Sequence, residues 1–314
     1  MDLVPTIDIE RPSEGDLRAV DLACRDHGFF LLEGHGLDDL IERTWTETHR
    51  FFDAPRRLRE DIRRTEDQPL GWYDRELTKR FRDCKEVFDY MHPAGAIGEI
   101  RNRWPDSLPG FRETQHEFFE AFSDLAENTL HLVHSALGSG EGVAEAHPGS
   151  KMTSTVRLNR YPMEDPVPED QRGALPALGE TALGYHTDPG VLTLLLQDEI
   201  GGLQAHSRSN EWIDVPSRRG TIVVNLADSL QVWTNDRYRA AVHRVVPMTK
   251  QARYSIPYFF NPQLETVIEP IPGLGDDAPL YRAFTWREFI QARVDDNYSD
   301  LGEIDTQTSH YRIN

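Results

Sequence analysis

Apolar and polar positions along this chain fall into two textures. Through roughly the first 150 residues, short apolar bursts alternate with stretches in which apolar side chains recur every three or four positions. Val4-Pro5-Thr6-Ile7-Asp8-Ile9 is predicted as an edge strand, with Pro5 where a ladder can spare a donor. Ser13 to Asp16 opens an amphipathic helix that runs to about His27, and Gly28 stops it. Phe29-Phe30-Leu31-Leu32 follows as a strand, closed by the turn-prone Gly34-His35-Gly36. The spacing predicts further helices over Asp38–Phe52, over Pro55–Arg64 with its proline in the first turn, and over the long stretch Phe111–Leu137.

From Lys151 the texture changes to short runs of Val, Leu, Ile, Thr and Tyr, punctuated by Gly, Pro, Asn and Asp. Ser154–Tyr161, Gly184–His186, Val191–Gln197, Leu203–His206, Trp212–Val215, Thr221–Asn225, His243–Val246 and Tyr254–Phe260 follow the rhythm of an all-β sandwich or barrel. Short antiparallel strands closing after a helical preface predict a double-sheet jelly roll of the cupin kind. A last amphipathic helix, Thr285 to about Val294, precedes a polar tail. The fold class is therefore mixed α/β, with a double-stranded β-helix core, an N-terminal α/β region and flanking helices. The expected division is an α/β scaffold over 1–110, a backing helix and linker over 111–150, the jelly-roll core over 151–265, and a helix with tail over 266–314. Glu164–Gly179, loaded with Pro, Glu and Asp, is expected as a solvated loop on the barrel rim.

Composition narrows the partners. Among 314 residues, 53 acidic side chains outnumber 34 basic ones, for a formal charge of −19. Such a surplus of acid lacks the clustered basic footprint of a nucleic-acid binder and is repelled by an anionic leaflet. No run of about 18 apolar residues could span a bilayer. The start, Met1-Asp2-Leu3-Val4-Pro5, lacks the basic and apolar stretches of a secretory signal, and Cys24 and Cys84 are too few for a disulfide framework. A cytoplasmic protein acting on a small molecule is the expectation, with the oligomeric state left open. Only Lys79, Lys85, Lys151 and Lys250 are lysines, so the other 30 basic residues are arginine, the better residue for gripping carboxylates.

Of the twelve histidines, only His186 is followed two residues later by an aspartate, in His186-Thr187-Asp188. Side chains two apart on a strand share a face, so an imidazole and a carboxylate can converge on one ion. In a chain this acidic the tripeptide alone is close to expected by chance. His243, 55 positions beyond Asp188 and ahead of the apolar Val245-Val246, adds a third ligand from a returning strand. Two histidines and one carboxylate with open positions suit non-haem Fe(II), although ligand type leaves zinc open. Ten residues further, Arg253-Tyr254-Ser255 places an arginine fork and a hydroxyl on one strand face, suited to a carboxylate. Its ordinary alternative is a surface arginine paired with an acid. Flanked by Val245-Val246 and Ile256-Pro257-Tyr258-Phe259-Phe260, a buried Arg253 would need an anion, which a metal-chelating dicarboxylate could supply.

These motifs, with Leu192-Thr193-Leu194-Leu195-Leu196-Gln197-Asp198, Gly201-Gly202-Leu203-Gln204, Glu211-Trp212-Ile213-Asp214-Val215 and Val224-Asn225-Leu226-Ala227-Asp228, resemble the isopenicillin N synthase-like branch of the Fe(II)/2-oxoglutarate-dependent dioxygenases. Val4–Ile9, His27-Gly28-Phe29-Phe30 and Lys85-Glu86-Val87-Phe88-Asp89 resemble that family's N-terminal region, so the likeness covers nearly the whole chain. The resemblance implies His186, Asp188 and His243 as the iron triad, and Arg253 with Ser255 as the clamp on the distal carboxylate of 2-oxoglutarate. Within Arg157-Leu158-Asn159-Arg160-Tyr161-Pro162 it implies Tyr161 as a further contact to 2-oxoglutarate and Asn159 near its metal-proximal end. Ala227 and Asp236 stand where the family usually has glycine. Retention of Asp188 disfavours halogenation, for which related enzymes replace that carboxylate.

The implied activity uses Fe(II), 2-oxoglutarate and O2 to oxidise an unactivated C–H bond of a small molecule, releasing succinate and CO2. Hydroxylation is the default outcome, with desaturation or ring closure also open. Two alternatives stand beside it: an oxygenase of this fold that does not use 2-oxoglutarate, and a non-catalytic jelly-roll binding protein. Tyr185, Thr187, Phe260, Trp72 and Tyr73 are the candidates for the substrate pocket. Lys79-Arg80-Phe81-Arg82 reads as a solvated helix face. A dianion must enter a chain of net charge −19, so the acid is expected mostly on the outer surface, around an interior made positive by Arg253 and the iron.

Overall fold

The computed structural model describes residues 3–78, 80–94, 100–140, 143–274, 278–294 and 307–313. β1 (Thr6–Asp8) and β2 (Phe29–Glu33) pair in parallel, with α1 (Glu14–Asp26) making the crossover that parallel strands require. A capping box opens α1: Ser13 Oγ accepts from the Asp16 N–H at 3.2 Å, and the Asp16 carboxylate accepts from the Ser13 N–H at 2.8 Å. Gly28 ends that turn at φ 75°, where a Cβ would lie 2.6 Å from the Arg239 carbonyl oxygen, so only glycine fits. α2 (Asp38–Asp53) follows as expected, whereas α3 (Arg56–Glu60) stops short of Arg64. The chain leaves the helix there because Ile62 and Arg64 exchange backbone hydrogen bonds with Trp72. β3 (Gly71–Tyr73), the hairpin β4 (Leu77–Thr78) and β5 (Phe81–Arg82), β6 (Glu86–Met91), α4 (Phe111–Leu137) and α5 (Val143–Ala146) complete this part.

All eight expected core strands are present, with ends within one residue of the expected ones. They are β7 (Thr155–Tyr161), β8 (Leu183–His186), β9 (Leu192–Gln197), β10 (Leu203–His206), β11 (Trp212–Asp214), β12 (Ile222–Leu226), β13 (His243–Val245) and β14 (Arg253–Phe260). The major sheet has the order β1-β2-β12-β9-β14-β7-β6-β3, and the minor sheet β11-β10-β13-β8. β2 bonds directly to β12, and β6 to β7, so strands of the N-terminal region widen the same sheet that carries the core. α6 (Asp228–Trp233), the pair β15 (Val267–Ile268) and β16 (Phe284–Thr285), and α7 (Trp286–Val294) close the chain. Among the described residues no helix is long and apolar enough to cross a membrane.

The two-residue period of the strands decides what builds the core and what builds the site. Leu192, Leu194 and Leu196 of β9 and Ile256, Tyr258 and Phe260 of β14 join one core with Phe118, Phe119, Phe122 and Ala126 of α4. Each such side chain contributes about 1.5–3 kcal/mol by leaving water. Ser123 on α4 meets the Tyr258 hydroxyl at 2.8 Å, so that buried polar tip is satisfied. The alternate residues, Thr193 and Leu195, Arg253, Ser255, Pro257 and Phe259, and Arg157, Asn159 and Tyr161, line a cavity between the two sheets.

Two expectations are corrected. The run ending at Arg82 is not a solvated helix face: Phe81–Arg82 is a strand, and Arg82 is buried in a bidentate pair with Asp165 at 2.9 and 2.7 Å. Lys79 lies outside the described residues. Glu164–Gly179 is accordingly no free excursion, since Asp165 and the backbone of Ala177 and Gly179 fasten it to that hairpin. The acid does lie mostly on the outer surface, with an internal exception: Asp74, Glu76, Asp83, Glu86 and Asp89 are buried, each against arginine or lysine. Of the two glycine departures, Ala227 is extended (φ −117°) and needs no glycine. Asp236 is left-handed (φ 65°), and its carboxylate accepts hydrogen bonds from Gln231, Tyr281 and Arg312.

Candidate active site

β8 ends on His186 and β13 begins on His243, and the two residues are register partners across the minor sheet. Their rings stand 4.3 Å apart, centroid to centroid. Asp188, on the turn after β8, places Oδ1 3.7 Å from His186 Nε2 and 4.0 Å from His243 Nε2. His186 Nδ1 lies 2.8 Å from the Gly184 carbonyl and His243 Nδ1 2.8 Å from the Ala241 carbonyl. Each Nδ1 therefore carries the proton, which turns both Nε2 lone pairs toward Asp188. Burial, then the neighbouring His243, hold His186 down to about 3, so the ring stays neutral and able to donate its lone pair. Burial works against ionising Asp188. The two imidazoles and hydrogen bonds from Thr193 and Asn225 outweigh it, leaving the carboxyl below its usual range.

Thr193 Oγ1 donates to Asp188 Oδ2 at 2.6 Å, and Asn225 Nδ2 donates to the same oxygen at 2.9 Å. Oδ1 is thereby left for an ion. Sequence reasoning missed both residues. Their signal was present, because each is a polar position set among the apolar residues of a buried strand.

At the other end of the cavity Arg253 is 1% exposed. Its Nη2 donates to Gln197 Oε1 at 3.2 Å, while Nε and Nη1 have no partner among the described residues. Ser255 is the register partner of Asn159, whose Nδ2 donates to Ser255 Oγ at 3.3 Å, and Arg253 is the partner of Tyr161 with its guanidinium 5.0 Å from that ring. A buried cation with two idle donors is costly unless a ligand answers it. The donor set fits a carboxylate, and the His-Asp-His set fits a divalent iron. Leu183, Leu195, Leu203, Val245, Pro257 and Phe259 supply apolar wall between the two ends.

The five substrate-pocket candidates do not line this cavity. Phe260 points into the α4 core, and its neighbour Phe259 faces the cavity instead, a one-residue slip of strand period. Trp72 is fully buried, donates to Glu86 Oε2 at 3.1 Å and lies between Arg56 and Arg63. Tyr73 packs under Arg64, Tyr185 is 52% exposed, and the Thr187 carbonyl accepts from Arg293 at 2.6 Å. Lys85 and Arg157, not singled out from the sequence, do line it.

A jelly-roll cavity with a His-Asp-His cluster at one end and an unanswered arginine at the other defines the class of non-haem iron oxygenases. The profile described as the 2OG-Fe(II) oxygenase superfamily matches residues 152–262, and that described as the non-haem dioxygenase in morphine synthesis N-terminal matches residues 4–107. The chain is 33% identical over 304 residues to the gibberellin 3-beta-dioxygenase 2-2 of Triticum aestivum, covering 93% of this chain and 79% of that one. It is 31% identical over 268 residues to the homoarginine-6-hydroxylase 2-ODD-233 of Oryza sativa subsp. japonica, covering 81% and 80%. The crystal structure of a full-length Neurospora crassa protein in complex with alpha-KG and thymine superimposes with a TM-score of 0.78 at 26% identity, covering 93% of this chain and 96% of that one. The chain belongs to the Fe(II)/2-oxoglutarate-dependent dioxygenases. It is an oxidoreductase with the family's double-stranded β-helix, and its cofactors are Fe(II), 2-oxoglutarate and O2.

Proposed function

We propose that His186, Asp188 and His243 hold the Fe(II), and that Arg253 with Ser255 holds the distal carboxylate of 2-oxoglutarate. When bound, the metal and co-substrate supply the oxidation of a substrate C–H bond with release of succinate and CO2. The protein's own part is placement. Thr193 and Asn225 fix the free oxygen of Asp188, the Gly184 and Ala241 carbonyls fix both imidazole tautomers, and Asn159 and Tyr161 flank the co-substrate. The apolar wall of Leu195, Leu203 and Val245 excludes water from the space between. The relatives named above act, by their names, on gibberellin and homoarginine, so the proposed substrate is a small organic molecule and the proposed outcome hydroxylation.

The observation that carries this reading is the pair of idle Arg253 donors facing the same chamber as the His-Asp-His cluster. It favours 2-oxoglutarate over the two alternatives, since a mere binding protein has no need of both ends. Anaerobic Fe(II) titration of wild type and His186→Ala tests the metal end. Wild type should bind one iron and, once O2 is admitted, release succinate from 2-oxoglutarate, and His186→Ala should do neither. Equal iron affinity in the two would overturn the assignment.

A further inference from the structure

Lys85 stands at the junction of the N-terminal strands and the core, on the cavity wall beside Arg157, Asn159, Tyr161 and His186. Its side chain is 4% exposed. Two carboxylates accept from the ammonium: Glu76 Oε2 at 2.8 Å and Asp83 Oδ2 at 3.2 Å. An ammonium carries three N–H groups, and no third acceptor for Lys85 is present among the described residues. Its neighbour is more fully committed: Arg157 gives Nε and Nη2 to Asp89 and Nη1 and Nη2 to Glu76, all at 2.7–2.9 Å, which uses four of its five N–H groups.

The charge count fixes what that donor can take. Lys85, Arg157 and Arg64 face Glu76, Asp83 and Asp89, cation for anion. The cluster is neutral, so the ammonium lacks an acceptor rather than a counter-charge. Burial works against the charge on Lys85, but Glu76 and Asp83 outweigh it and keep the group ionised. It is separated from Arg253 by β7: Lys85 precedes Glu86, the register partner of Arg160 on one side of that strand, whereas Arg253 is the register partner of Tyr161 on the other, and both line the cavity with His186.

We propose that Lys85 anchors the primary substrate, donating its third N–H to a carboxylate or carbonyl oxygen beside His186. This rests on the metal and co-substrate reading above and adds a substrate class to it: a small molecule with an oxygen acceptor near the C–H bond that is oxidised. Neither a purely cationic nor a purely hydrocarbon substrate would use this donor.

The test is anaerobic binding to the Fe(II)- and 2-oxoglutarate-loaded protein, followed by its metal-to-ligand absorption. Formation of that absorption before any probe is added checks the underlying reading by itself, and its absence fails that reading and the anchor with it. The probes are small aliphatic and aromatic carboxylates, their primary amides and their amines. Carboxylates or amides should perturb the absorption and amines should not. Lys85→Met should weaken the acceptor probes about tenfold to a hundredfold, the span of one charge-assisted hydrogen bond. Asp83→Asn, which leaves Lys85 in place and gives the cluster a net positive charge, should tighten carboxylates several-fold relative to amides. A carboxylate-to-amide preference arising this way is not expected of a lysine that serves only to hold the fold. Preference for amines, failure of every acceptor probe, or unchanged affinity in Lys85→Met would overturn the anchor. If Lys85→Met does not fold, Asp83→Asn decides, and carboxylate binding that is unchanged or weaker in it overturns the anchor too.

Discussion

Arg157 on β7 and Arg253 on β14 line the same cavity from adjacent strands, yet they are partnered in opposite ways. Arg157 makes four hydrogen bonds to Glu76 and Asp89, and those carboxylates hold it far above the range in which an arginine could lose its proton. Arg253 makes one hydrogen bond, to a neutral amide, and leaves Nε and Nη1 idle. The first arginine is spent on the fold. The second is held ready for a ligand that the chain does not supply. Residue type and location are therefore poor guides to the role of a buried cation, whereas the state of its donors is a good one.

The comparison breaks most visibly on stability. Arg157→Met strips two buried carboxylates of a main partner and should cost about 3 kcal/mol. Arg253→Met removes a buried charge that has no hydrogen-bonded anion, Asp198 acting on it only through space, and should leave stability within about 1 kcal/mol of wild type, or raise it. Urea denaturation of both variants, metal-free, checks this, and equal losses would erase the distinction. A smaller effect belongs to the metal end. Thr193→Val keeps the shape of the strand but removes one hydrogen bond to Asp188, and Fe(II) affinity by anaerobic titration should fall about tenfold to a hundredfold. No change would mean that Asn225 alone orients the carboxylate.

A further prediction concerns pH. In the folded, metal-free protein His186 titrates near 3 against an ordinary value of about 6.5. Between those values the unfolded chain binds the extra proton and the folded chain does not, so stability should rise with pH across the window and level off above it. The melting temperature of the metal-free protein should therefore fall as pH drops from 7 toward 5, and His186→Gln should flatten that slope. An identical slope in the variant would remove His186 as its source.

The same contrast explains what was legible in the sequence. The His186-Thr187-Asp188, His243 and Arg253-Tyr254-Ser255 motifs could be read because short antiparallel strands of period two place their polar positions on one face, and that face is the cavity. The core strands were legible for the same reason. The ion cluster of Glu76, Asp83, Lys85, Asp89 and Arg157 was not, because charged residues in a buried strand such as β6 look like surface until their partners from distant segments are known. Asp165, reaching across to Arg82, is the same case on the rim loop. The substrate-pocket candidates lie off this cavity for smaller reasons. Phe260 was one residue off the inward period, and Trp72 is a fully buried member of the core with Arg56 and Arg63 over its ring.

The central claim is that the idle donors of Arg253 exist to hold 2-oxoglutarate. Anaerobic titration of 2-oxoglutarate into the Fe(II)-loaded protein, wild type against Arg253→Met, measures this directly. Loss of two charge-assisted hydrogen bonds should weaken binding on the order of a hundredfold or more. Equal affinity in the two proteins would contradict it.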